Sequence, residues 1–94
     1  MSFPEEVSKT VIQLRSLESQ YVRVSIKAFH ILERCDPSTA SLAIEAFNYR
    51  KRAALWFGDR SWPLGNKTPW ECIALGHVER VKLELISIIH GLPV

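Results

Sequence analysis

The chain predicts an all-α fold, a single small helical domain of about four to six helices, on three observations. Apolar residues recur at helical steps of three and four along most of its 94 residues. Helix starts stand at Asp36-Pro37 and at Thr68-Pro69-Trp70-Glu71, each a capping side chain followed by proline at the first helical position. Stops and turns follow at Gly58, Gly76 and Gly91.

The first segment, residues 1–36, opens near Ser2 with Pro4 and then Glu5-Glu6, acids that the positive end of a helix dipole favours. Val7, Val11, Leu14 and Leu17 give one apolar stripe, continued by Tyr21, Val24, Ala28, Phe29, Ile31 and Leu32. β-Branched residues crowd between Tyr21 and Ile26, so a kink or short break near Ser19-Gln20 is compatible with the pattern. One long helix and two shorter ones both fit. Asp36 then caps the next helix, with Pro37 at its first position.

Residues 37–94 form the second region, and the two regions together read as one compact domain. Thr39 to Phe57 carries Leu42, Ile44, Ala46 and Phe47, then Ala53 to Phe57, with Asn48 as an interruption expected to cap a following short helix. Tyr49-Arg50-Lys51-Arg52 is the one dense basic cluster. In the loop from Trp62 to Glu71, Gly65-Asn66 can adopt positive φ and turn the chain. Thr68 and Glu71 are placed to satisfy each other's backbone N–H groups in a capping box. A short helix over residues 70–75 closes at Gly76. The last helix runs from about His77 to His90, with Val78, Val81, Leu85, Ile88 and Ile89 buried and Glu79, Arg80, Lys82 and Glu84 on the wet face. Gly91 caps it and Pro93 prevents continuation.

Composition narrows the function. A hydrophobic content of 47% and a charged content of 23% are those of a globular protein, not a disordered tail. The net charge of +2, from 12 basic and 10 acidic residues, makes no strong demand for a polyanion. No apolar run approaches the roughly 20 residues that cross a bilayer, and the acidic Met1-to-Glu6 stretch lacks the basic and apolar regions of a signal peptide, so a cytoplasmic location without membrane association is expected. Cys35 and Cys72 read as buried reduced thiols. His30, His77 and His90 have no partners at ligand spacing, so neither metal nor cofactor is expected. No paired acids, activated nucleophile or phosphate loop appears, and the chain reads as a binder without enzymatic activity.

Arg50, Lys51 and Arg52 follow a break at Asn48, and the two flanking helices can be drawn as a helix-turn-helix. The cluster is short and the overall charge nearly balanced, so an acidic protein patch suits it at least as well, and nucleic acid is not the expected partner.

Ala54-Leu55-Trp56, then Leu64-Gly65-Asn66-Lys67-Thr68-Pro69-Trp70-Glu71, then Ile88-Ile89-His90-Gly91 stand in the order and spacing of a known pattern. From about Ala40 to Val94 the chain resembles the toxin-binding domain of the Xre/MbcA/ParS antitoxin family of bacterial toxin–antitoxin operons. Asn66 replaces the family's second glycine, a change the turn should accept because asparagine tolerates positive φ. About forty residues precede the matching region, too few for the Xre-type DNA-binding domain that many members carry.

The resemblance implies a short, toxin-binding form whose partner is a RES-type toxin acting on NAD⁺. It further implies inhibition by occlusion, the antitoxin's C-terminal end entering the toxin's active site. Here that end is Gly91-Leu92-Pro93-Val94, a free carboxylate after a helix, with Pro93 limiting the entropy lost on binding; a frayed tail is the other reading of the same residues. Trp62, Leu64, His90, Gly91, Leu92, Pro93 and Val94 are the expected toxin-binding residues, while Thr68, Pro69 and Glu71 are a structural cap. Trp56 is expected in the core, Trp62 exposed, and Trp70 fits either place. A small interaction or regulatory protein of the same fold, including one of phage origin, and a DNA-binding repressor are the competing readings. The N-terminal stripe could also pair two chains into a homo-oligomer.

Overall fold

In the computed structural model, which describes residues 2–91, five α-helices and one 3₁₀ turn succeed one another, and no strand occurs among the described residues. Helix α1 spans Phe3–Cys35, with Ser2 as its N-cap, Pro4 in its first turn and Glu5 and Glu6 at its positive end. It is one unbroken helix. The β-branched residues after Ser19-Gln20 cost only a few tenths of a kcal/mol each in a helix, and neither glycine nor proline stands between Glu5 and Cys35 to break it.

Asp36 joins α1 to α2 (Pro37–Phe47). Its carboxylate accepts from the Thr39 hydroxyl at 2.7 Å, the Ser38 hydroxyl at 2.9 Å and the Thr39 N–H at 3.3 Å. These bonds, the Thr39 hydroxyl above all, hold the Asp36 carboxyl below its ordinary range. Asn48 ends α2 in the left-handed conformation at φ 72°, its N–H donating to the Ile44 carbonyl. It therefore caps the C-terminus of α2 and not the start of α3, where Tyr49 takes the N-cap position without a side-chain bond. Helix α3 covers Arg50–Trp56, the 3₁₀ turn Trp62–Leu64, α4 Pro69–Ala74 and α5 Val78–Ile89.

Small residues let these elements approach. Ala40 and Ala43 of α2 and Ala53 and Ala54 of α3 are fully buried, and Phe29, Phe57, Leu64, Val81 and Leu85 fill the space between them. Phe57 sits at the centre of an aromatic group, 6.0 Å from Phe29, 5.0 Å from Trp56 and 4.5 Å from Trp70, ring centre to ring centre. Trp56 is half-buried against Phe47 and Phe57.

Two expectations from the sequence, for Cys35 and Glu84, are corrected. Cys35 is exposed in the last turn of α1, three residues past the last buried position, Leu32; only Cys72 is a buried thiol. Glu84 is buried, because it stands three residues after Val81 and so shares the inward face of α5. The stripe of Val7, Val11, Leu14 and Leu17 is exposed and contributes nothing to the core.

That last point sets the shape. The core begins at Ser25, and towards the N-terminus the Tyr21 hydroxyl packs against Gly58, where it leaves no room for a Cβ. Further towards the N-terminus every described residue of α1 is exposed. A 33-residue helix is about 50 Å long, and the molecule's long axis measures 52 Å. Its radius of gyration, 16.1 Å, exceeds the roughly 12 Å of a compact domain of this length.

Candidate protein-interaction surface

The loop between α3 and α5 is built almost entirely from local bonds. Gly58 and Asp59 turn out of α3 through hydrogen bonds to Leu55 and Trp56 carbonyls. Ser61 then closes a small ring. Its N–H donates to the Lys67 carbonyl at 3.0 Å, and its carbonyl accepts from Leu64 and Asn66. Closing so short a loop requires positive φ at two successive residues, supplied by Gly65 at 71° and Asn66 at 61°. Asparagine thus serves where the resemblance implies glycine.

The capping box is complete. Glu71 N–H donates to the Thr68 hydroxyl oxygen at 3.1 Å, and Thr68 N–H donates to the Glu71 carboxylate at 3.2 Å. The bond from the Thr68 backbone holds the Glu71 carboxyl below its ordinary range, and Arg60 reinforces this from 3.5 Å. Pro69 is buried, and Trp70 donates its backbone N–H to the Phe57 carbonyl at 3.1 Å while its ring stacks on Phe57. Trp70 is therefore half-buried scaffold.

On the other side the loop is tied to α5. Arg80 reaches the Pro63 carbonyl at 3.4 Å, and Pro63, Leu64, Arg80, Leu83 and Ser87 border one shallow hollow. Glu84 lines it too, and burial, opposed by the neighbouring Ser61, pushes its carboxyl above the ordinary range. Trp62, next to Pro63, is 83% exposed, and Leu83 is 64% exposed. Ile86, three residues further along α5, is also exposed, and His90 continues the same side of the helix. Single exposed apolar residues are ordinary; here Leu83 borders the same hollow as Pro63, the residue after the exposed Trp62, and Ile86 follows Leu83 along α5.

The expected site residues separate accordingly. Trp62, His90 and Gly91 are exposed; Gly91 has φ 66° and donates its N–H to the Ile88 carbonyl, closing α5. Leu64 is 2% exposed, so it anchors the loop from within and offers no contact surface. Leu92, Pro93 and Val94 lie outside the described residues. Leu83 and Ile86 were not anticipated, although their absence from the Val78, Val81, Leu85, Ile88 stripe is readable in the sequence.

The basic cluster is partly committed elsewhere. The Arg50 guanidinium pairs with the Glu33 carboxylate and lies 2.8 Å from His30 Nδ1, tying α3 to α1. Lys51 and Arg52 are exposed. Among the described residues no three His, Cys, Asp or Glu side chains converge as a metal site would require, and no helix is long and apolar enough to cross a membrane.

Comparisons with family models, with curated proteins and with solved structures each find no match to this chain.

Proposed function

We propose that this chain is a protein inhibitor of the antitoxin kind, which binds a RES-type toxin acting on NAD⁺ and covers its active site. The observation that carries the reading is the exposed Trp62, on a loop whose every turn is fixed by local bonds, together with the exposed Leu83 and Ile86 of α5, to which Arg80 ties that loop. Aromatic anchors on rigid supports dominate interface energetics, because little entropy is lost when they dock. Leu83 and Ile86 lie on the side of α5 that continues to His90, so a partner seated on them extends towards Gly91.

In this reading Trp62 and the tail have separate roles. Trp62 supplies affinity, and Leu92 to Val94 obstruct the toxin's active site. Co-expression with a neighbouring RES-type toxin is expected to yield a complex in which NAD⁺ consumption is suppressed. Trp62→Ala should weaken that complex by about 2 kcal/mol, some thirtyfold in Kd, while its melting temperature stays within experimental scatter. Removal of Leu92 to Val94 should leave the complex formed but the toxin active. An unchanged Kd for Trp62→Ala, or failure of any RES-type toxin to bind, contradicts the proposal.

A further inference from the structure

We infer that α1 pairs with the α1 of a second copy, antiparallel, so that the free end of each helix covers the exposed seam and apolar groove of the other. Positions 3, 7, 10, 14, 17, 21, 24, 28, 31 and 35 advance by alternating steps of four and three, and only Thr10 among them is polar. That is the seam of a coiled coil, sustained over nearly five heptads. Most of it is exposed. Phe3 is 79% and Leu17 60% exposed, and Val24, Ile31 and Cys35 are exposed where α1 runs alongside its own domain, because Phe29 and Leu32 point inward from a different face.

Beside this seam lies a groove of about 450 Å³ between α1 and α4. Ala28, Ile31 and Cys35 form its floor, and Trp70, Ile73 and Val78 border it. Nothing among the described residues fills it.

A second copy matches this seam in both length and charge. Residues 3–17 are exposed along their whole length, and the seam from Tyr21 to Cys35 is equally long, with Val24, Ile31 and Cys35 exposed, Tyr21 partly so and Ala28 half-buried. Pairing Phe3 with Cys35 of a second copy satisfies both at once and makes a closed two-fold dimer. Phe3 and Val7 of one copy then enter the groove of the other.

Charges on one flank select this direction. In this register Glu6 meets Arg34 of the other copy, Gln13 meets Lys27, and Gln20 meets its own equivalent. A parallel pair would set Glu6 against Val11 and leave Arg34 without an acid. Helix dipoles add to the antiparallel preference. Glu18 lies near the two-fold axis, and Arg15, Arg23 and Lys51 around the same hollow supply positive charge there.

Crosslinking decides the matter, because the one exposed thiol stands at the end of the seam. In the antiparallel dimer the two Cys35 thiols are about 48 Å apart, at 1.5 Å per residue, so mild oxidation of the unchanged chain should form no interchain disulfide. Phe3→Cys should crosslink to Cys35 of the second copy in high yield. Sedimentation equilibrium should give a dimer for the unchanged chain and a monomer for Leu14→Asp, whose domain melts unchanged because Leu14 packs on nothing there. Glu6→Arg should weaken the dimer about tenfold, and adding Arg34→Glu should restore it. A chain that stays monomeric up to 100 µM (about the top of an ordinary association range), or a Cys35-to-Cys35 disulfide in the unchanged chain, overturns the inference.

Discussion

Val11 and Leu14 near one end of α1 and Phe29 and Leu32 near the other share the same helical spacing, yet the first pair is exposed and the second buried. The difference lies in the segments that fold back after α1, not in the helix itself. α2, α3 and the aromatic group around Phe57 return to cover Ser25, Phe29 and Leu32, and nothing among the described residues returns to cover residues 3–17. A stretch of that length is marginal as an isolated helix in water, so the free half of α1 depends on continuity with the docked half and, in our inference, on a second copy. One helix thus holds a stability element and an association element in series.

The largest effect that distinguishes the two regions is a core truncation. Phe57→Ala removes a fully buried ring that touches Phe29, Trp56 and Trp70, and should lower stability by about 3–5 kcal/mol in denaturant unfolding. Leu14→Ala deletes comparable aliphatic surface from the free half. At dilutions where the chain is monomeric it should change domain stability by less than about 0.5 kcal/mol. Similar losses at the two positions would erase the distinction.

A smaller effect belongs to the loop. Thr68→Ala should cost about 1 kcal/mol of stability by removing one side of the capping box, and Thr68→Ser should recover most of it. Because the cap fixes the end of the loop where it enters α4, the alanine variant should also loosen binding through Trp62, whereas truncations on the free half of α1 should leave that binding unchanged.

The smallest effects are in pH dependence, and they have opposite signs. Asp36 has a lowered carboxyl pKa, so its stabilising contribution is present above the ordinary value of 3.8 and is lost as pH falls through the lower folded value. Glu84 has a raised pKa, so the folded state holds its proton more tightly and stability declines as pH rises from the ordinary 4.5 through the higher folded value. Denaturant midpoints between pH 3 and 7 should show Asp36→Asn flattening the acid side. Glu84→Gln should remove the decline above 4.5.

Much of this was legible in the sequence where the governing interaction is local. Asp36-Pro37 and Thr68-Pro69-Trp70-Glu71 specify helix starts within four residues, and both caps form as their residue types require. Gly65 and Asn66 likewise specify their turn. What could not be read depends on which distant segment comes back. Spacing showed that Val7 to Leu17 form a face but not that it stays uncovered. It placed Glu84 among the wet residues, although the three-residue step from Val81 carries it inward. Of the candidate site, Trp62 was readable as a loop aromatic beside proline, whereas the placing of its loop against α5, which carries Leu83 and Ile86, depends on Arg80 reaching Pro63.

Amide hydrogen exchange over a range of protein concentrations tests the division of α1 most directly. The amides of Val81 and Leu85 should be strongly protected at every concentration, because they report the core. Those of residues 7–18 should exchange rapidly in dilute solution and gain protection as concentration rises, with a midpoint at the dimer dissociation constant. Protection of residues 7–18 that equals the core's at all concentrations, or that never appears, would contradict the assignment of this half of α1 to association.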